Sequence, residues 1–132
     1  MKKILTILII ALVSISPIFA QNNSTKKADK LFDRLEFVKA AEEYLKLADK
    51  SPDNYIMERL ADSYYNIFNT REAEKWYSKI IDDEPDAEVI FRYSEMLKAN
   101  GKYKESNVWM SKFSEMNPYD TRAIAFRNTP NY

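Results

Sequence analysis

The sequence predicts an all-α fold in which three helical hairpins stack in a row and a C-terminal helix caps the last. Two observations carry that expectation. The first is an internal repeat: Ala40, Tyr44 and Pro52 match Ala73, Tyr77 and Pro85, each shifted by 33, and Ser106, Met110 and Pro118 follow at the same spacing. A second group keeps the phase upstream, with Leu60, Ala61 and Tyr64 becoming Tyr93, Ser94 and Leu97, and Ala28 and Leu31 standing at the equivalent places before them. The second observation is a shortage of special backbone positions. A single glycine, Gly101, and five prolines leave little for tight β-hairpins or phosphate-cradling loops. With 30% charged and 45% hydrophobic residues, the 132-residue chain has the balance of one small folded domain and not of a disordered tail.

The elements follow in order. Lys2 and Lys3 precede an apolar run from Ile4 to Ile15, and Ser16-Pro17-Ile18-Phe19-Ala20 leads into polar Gln21-Asn22-Asn23-Ser24. That is the pattern of a signal peptide over residues 1–20, cleaved after Ala20. The apolar run is short for a membrane span of about 20 residues, and Ser14, Ser16 and Pro17 weaken its end. Without a cysteine nearby no lipid is attached there, so the mature chain is expected to start near Gln21, free of the membrane, with 18 basic and 20 acidic residues. Three repeats are then expected at 21–53, 54–86 and 87–119, with a capping helix and tail in 120–132.

Periodicity and stop signals place first helices near 24–34, 53–67 and 86–99, and second helices near 38–49, 71–82 and 103–116. Thr70 reads as the N-cap of the fourth helix, and Asn100-Gly101 as the end of the fifth. Asn117-Pro118 with Asp120 opens a seventh helix over Tyr119 to Phe126, whose Arg122 and Arg127 suit an outward face.

These residues resemble the tetratricopeptide pattern, in which a Leu-Gly-x-x-Tyr group on a first helix is followed by Ala-x-x-x-Phe on a second and by a closing proline. The middle copy reads Leu60-Ala61-Asp62-Ser63-Tyr64, then Ala73-Glu74-Lys75-Trp76-Tyr77, then Pro85. Small Ala40, Ala73 and Ser106 let paired helices approach, and the bulky residue four positions on fills the space beside them. The resemblance implies a right-handed solenoid of three hairpins plus the cap. The usual period is about 34, and 33 is shared with ankyrin repeats, but the Thr-Pro-Leu-His box of ankyrin is absent and the chain has no histidine.

Composition narrows function. With no cysteine and no histidine, the chain has no disulfide, no thiolate nucleophile, no thiolate or imidazole metal ligand and no ordinary neutral-pH general base. No catalytic residue, metal or cofactor is expected, and an enzyme working by carboxylates alone would need an isolated pair that the sequence does not single out. Formal net charge is zero and no basic run exceeds Lys26-Lys27, which excludes nucleic acid as an expected partner. A small-molecule substrate is not expected either. The acidic run Asp82 to Glu88 lacks the alternation and central glycine of an EF-hand, and Asp86 and Glu88 suit a helix N-terminus.

The candidate site is a stripe on the first helices. Lys26, Arg59 and Arg92 share one repeat position, and Asp29, Asp62 and Glu95 lie three residues later, giving a predicted ladder of pairs along each helix. Tyr55, Tyr65 and Phe91 lie off the Leu60/Tyr64 stripe and are candidate interface anchors. In tetratricopeptide solenoids the first helices line the groove, so the resemblance implies a partner-binding groove of Tyr55, Arg59, Asp62, Tyr65, Phe91, Arg92 and Glu95. The Lys, Asn and Arg clamp of chaperone-binding members is not matched, since Thr25 and Asp29 stand at its first two positions. Trp76 and Trp109 are expected to cover the neighbouring hairpin.

The leader, a start at Gln21, Lys26-Lys27-Ala28-Asp29-Lys30-Leu31-Phe32 and Leu60-Ala61-Asp62-Ser63-Tyr64-Tyr65 together resemble the N-terminal repeat region of OmpA-family, type IX secretion-associated envelope proteins of Bacteroidetes. That resemblance implies an exported adaptor in the periplasm or at the periplasmic face of the outer membrane, holding a protein or peptide partner. A structural module that orients a separate peptidoglycan-binding or catalytic subunit is the alternative. Neither a propeller nor an OmpA-like domain occurs within these residues, so wall anchoring is not carried over.

Overall fold

The computed structural model describes residues 16–129, with side chains over 24–129; the first fifteen residues of the expected leader lie outside the described residues. Seven helices are described: α1 (Ser16–Asp33), α2 (Phe37–Lys50), α3 (Asn54–Asn66), α4 (Thr70–Ser78), α5 (Ala87–Ala99), α6 (Tyr103–Met116) and α7 (Thr121–Asn128). Each packs against the next in sequence, and α3 also touches α5, so hairpins α1–α2, α3–α4 and α5–α6 stack in a row and α7 covers the last. Among the described residues there is no strand, which agrees with the all-α expectation.

The repeat positions form the core. Ala40, Ala73 and Ser106 are buried on the second helices, and Tyr44, Tyr77 and Met110 fill the space beside them. Ala28, Ala61 and Ser94 are their buried counterparts on the first helices, with Leu60 and Leu97 alongside. A small residue on each helix lets the pair close, and burying each large neighbour contributes about 1.5–3 kcal/mol. In the third hairpin serine replaces alanine on both helices, and the Ser106 hydroxyl donates to the Ser94 carbonyl at 2.8 Å. The Ser94 hydroxyl donates to the Phe91 carbonyl at 2.7 Å, so both hydroxyls are satisfied inside the core.

Asp53, Asp86 and Asp120 cap α3, α5 and α7, each accepting from a backbone N–H of the first turn. These caps follow Pro52, Pro85 and Pro118 by one or two residues, so proline stands just before each first helix and not inside it. Three expectations shift. The first helix begins at Ser16, eight residues before the expected 24, and its backbone runs through the expected cleavage point after Ala20. The N-cap of α4 is Asn69, whose side chain accepts from Glu72 N–H, while Thr70 is already helical and bonds across to Asn100. And α4 ends at Ser78, four residues before the expected boundary, because Lys79 and Ile80 tighten to Trp76 and Tyr77 through three-residue turns. That tightening buries Ile80 and Ile81 side by side.

The turns inside the three hairpins are the same motif. Glu36, Asn69 and Lys102 donate to the carbonyls of Leu31, Tyr64 and Leu97, while Leu35, Phe68 and Gly101 donate to Phe32, Tyr65 and Lys98. This double bond pattern requires a left-handed residue between, and Leu35, Phe68 and Gly101 have φ of 62°, 56° and 81°. Only the third turn uses the residue that adopts this conformation freely.

Candidate functional site

The first-helix face is built on a hydrogen-bonded spine with the same period as the repeat. Tyr77 O–H, buried on α4, donates to Asp62 Oδ1 on α3 at 2.5 Å, and Tyr44 O–H on α2 donates to Asp29 Oδ1 on α1 at the same distance. Both pairs lie 15 residues apart in sequence, so each tyrosine locks the two helices of its own hairpin. The spine then passes to the next hairpin: Arg92 Nη1 on α5 donates to Asp62 at 2.8 Å, and Tyr55 O–H on α3 donates to Asp29 at 2.8 Å. In the third hairpin Met110 replaces the tyrosine, so the Glu95 carboxylate instead accepts from Tyr65 O–H of the preceding hairpin.

Arginine guanidinium groups lie over the aromatic rings beside this spine. Arg59 lies over the Phe32 ring at 4.5 Å and over Tyr55 at 5.5 Å, and Arg92 lies over Tyr65 at 5.4 Å. Phe32 and Tyr65 are 33 residues apart, as are the two arginines, so one stacking unit is used twice. The pairing differs from the predicted ladder along each helix. Arg92 reaches back to Asp62 and to Glu88 at 3.5 Å, not forward to Glu95. Helical side chains lean toward the N-terminus, which carries Arg92 toward Glu88 and the neighbouring hairpin.

The candidate residues therefore occupy three depths. Tyr55 is outermost at 46% exposure, while Arg59, Tyr65, Phe91, Arg92 and Glu95 are half-buried. Asp62 is 4% exposed and acts from beneath, holding Tyr77 and Arg92. Phe91 packs on Phe113 at 5.2 Å and lies under the Arg122 guanidinium at 4.2 Å. The expected outward face of α7 is revised here. Arg122 also bonds Glu88 at 3.0 Å and Asp120 at 3.0 Å, and Arg127 bonds Ser114 and the Pro118 carbonyl. Both arginines fasten the cap instead of solvating it.

Electrostatics follow the burial. Burial and then the Asp62 charge push the Tyr77 hydroxyl far above its usual range, and burial with the Asp29 hydrogen bond does the same at Tyr44. Tyr65 is pushed up to about 12, first by burial and then by its bond to Glu95. Burial works against the charge of Arg92, but Asp62, joined by Tyr77 and Glu88, outweighs it and the guanidinium is held more firmly protonated than usual. Glu58 is raised by burial and by the nearby charges of Asp62 and Asp86.

Sequence reading found the charged positions but missed Tyr44 and Tyr77 as their partners. The signal was present: Asp29 and Asp62 precede Tyr44 and Tyr77 by one fixed interval. Of the two tryptophans, Trp76 is buried with its indole N–H unpartnered, and Trp109 stacks edge-on with Tyr93 at 5.7 Å. Beside the stripe, a cleft of 430 Å³ opens between the ends of α3 and α5, lined by Tyr65, Phe68, Glu95, Met96 and Lys98 among others. Among the described residues no group of acidic side chains is placed to hold a metal ion, and no helix is long and apolar enough to cross a membrane.

The structure is similar to the second tetratricopeptide domain of human RPAP3, solved in complex with the HSP70 peptide SGPTIEEVD, with a TM-score of 0.68 and 20% sequence identity. The match covers 82% of this chain and 92% of that one. No family model matches the sequence, and neither does any curated protein. At this identity the likeness is one of fold, and the chain is a tetratricopeptide-like solenoid.

Proposed function

We propose that this chain is a non-catalytic interaction module of the cell envelope that holds a protein or peptide partner against its first-helix face. The observation that carries the reading is the stacked Arg59 over Phe32 and Tyr55, with Arg92 over Tyr65 one hairpin on. Guanidinium groups over aromatic rings, with Arg92 held by the buried Asp62 carboxylate, form an ordered amphipathic surface that loses little side-chain freedom when a partner covers it. Arginine and tyrosine are also the side chains that dominate binding energy at interfaces. The complex of the RPAP3 domain with a peptide supports a peptide or protein as the class of partner. An acidic C-terminus is not the proposed ligand, because Thr25 is buried and Asp29 already accepts two tyrosine hydroxyls. Export, and residence in the periplasm or at the periplasmic face of the outer membrane, are part of the proposal and rest on the leader-like residues 1–20. Association with an outer-membrane or secretion complex is the finer part and rests on the sequence resemblance alone.

Testing the face requires variants that do not collapse the spine, which rules out reversing Arg92, since a glutamate there would confront Asp62. Tyr55→Ser with Arg59→Gln removes the outer layer and leaves Tyr44 on Asp29. A photo-crosslinking residue at Tyr55 in living cells should trap a discrete protein, and the same probe at Asp83 should not. Purified partner should then bind the double variant at least about tenfold more weakly. Equal crosslinking at both sites, or unchanged affinity, removes this face from the function.

One observation favours a second reading, a stack that orients a separate peptidoglycan-binding or catalytic subunit and binds nothing in its groove. Arg122 of α7 already occupies the Phe91 ring, so the chain fills part of its own face. Under that reading the Tyr55 probe stays silent while a probe on α7 is trapped.

A further inference from the structure

We propose that the edge formed by the three intra-hairpin turns docks on a bilayer surface carrying anionic headgroups. This goes beyond the groove reading and does not depend on it. The three turns lie on one edge of the stack: Thr70 and Asn100, from the second and third turns, hydrogen-bond to each other, and Lys102 bonds back to Glu74. Leu35 and Phe68 project from the first two turns, 72% and 71% exposed. Each holds a left-handed backbone that a bulky side chain adopts at a cost, and each returns little burial for it. At the third turn glycine takes the strained position, and Tyr103, 53% exposed, stands between Lys102 and Lys104.

Charge divides the molecule between this edge and the opposite one. Residues 30–40, 63–73 and 96–106 carry seven Lys/Arg and four Asp/Glu, whereas the equivalent windows 47–57, 80–90 and 113–123 carry two and nine. Lys30, Arg34, Arg71, Lys98 and Lys104 are exposed on the turn edge. An apolar residue at the tip of a turn, flanked by exposed cations, matches an anionic interface, where the side chain enters the acyl boundary and the cations meet headgroups. The tyrosine of the third turn suits the headgroup level. A protein partner would need a separate pocket for each isolated tip, whereas a bilayer accepts single side chains without one. The acidic edge turns the opposite end of the stack away from the same surface.

The chain has no cysteine, so one introduced thiol can carry an environment-sensitive dye in the exported protein from Gln21 onward, free of the apolar leader. Ile67→Cys places it beside Phe68, and Asp83→Cys places it on the acidic edge as a control. With vesicles of phosphatidylcholine and phosphatidylglycerol, the dye at 67 should report a dry environment and the dye at 83 should not. Pure phosphatidylcholine or high salt should abolish the signal. Leu35→Asn with Phe68→Asn keeps residues that tolerate the turn conformation and should lower the partition coefficient at the 67 probe about tenfold or more, with helical content unchanged. The proposal is overturned if both dyes respond alike, if neither responds, or if the asparagine variant binds as well as the parent. It is also overturned if the two tips are needed for self-association or for capture of an acidic protein while the vesicles leave the dye at 67 unchanged.

Discussion

Removing the Asp62 carboxylate would strip two groups at once, the buried Tyr77 hydroxyl and the Arg92 guanidinium. Asp62→Ala is therefore expected to destabilise the fold by about 2–4 kcal/mol, and Tyr77→Phe, which leaves Asp62 with its arginine, by about 1–2 kcal/mol. Urea unfolding of the two variants checks the order, and an aspartate loss no larger than the tyrosine loss would mean that Arg92 gains nothing from Asp62. The same hydroxyls set an alkaline limit. A tyrosine whose folded pKa lies above the unfolded value near 10 contributes stability that is complete below that value and disappears as pH climbs through the folded one. Tyr44, Tyr65 and Tyr77 are all raised, Tyr65 to about 12, so stability should fall from about pH 10 upward. Tyr44→Phe with Tyr77→Phe should flatten that fall, which thermal melts between about pH 9 and 11 would show. The carboxylates of this spine were legible in the sequence because they recur in phase. Their partners were not, because a tyrosine at a core position reads as packing until its hydroxyl is placed.

Helix by helix, the sequence carried the fold through proline, aspartate and the small residues, all of which act within a few positions of themselves. Boundaries set beyond local signals escaped it: α4 stops at Ser78, where Lys79 and Ile80 tighten into three-residue turns and Ile80 and Ile81 both enter the core. The first two turns escaped it as well, since nothing in Leu35 or Phe68 announces a left-handed backbone, whereas Asn100-Gly101 marked the third. That conformation has a measurable cost. A Cβ at Gly101 would meet nothing within 4 Å, so Gly101→Leu adds backbone strain without a clash and should cost about 1 kcal/mol. In the reverse direction, Leu35→Gly and Phe68→Gly lose an exposed side chain and relieve the strain, against the greater freedom of glycine in the unfolded chain. Each should be neutral or stabilising by up to about 1 kcal/mol, readable as a shift in denaturant midpoint. Clear destabilisation by glycine at either turn would mean that the apolar tip packs on its own chain, which would also remove the premise of the membrane-facing edge.

At the scale of the whole molecule the number of hairpins was legible because a covalent period of 33 needs no knowledge of contacts, whereas the fastening of the cap was not. Arg122 reads as a solvated helix residue, yet it joins α7 to Glu88 of α5 and covers the Phe91 and Phe113 rings, contacts that exist only once the third hairpin is folded. In a linear stack each unit is stabilised by its immediate neighbours, so damage stays near where it is made. Arg122→Ala should therefore speed amide exchange in α7 and in the α5–α6 hairpin it covers, with little change in α1 and α2. The contrast with Asp62→Ala is diagnostic, because Asp62 joins α3 to both α4 and α5 and its loss should loosen the centre of the stack. If Arg122→Ala raised exchange evenly from α1 to α7, the hairpins would unfold as one cooperative body. The cap would then govern the stability of the distant first-helix face as well as the last hairpin.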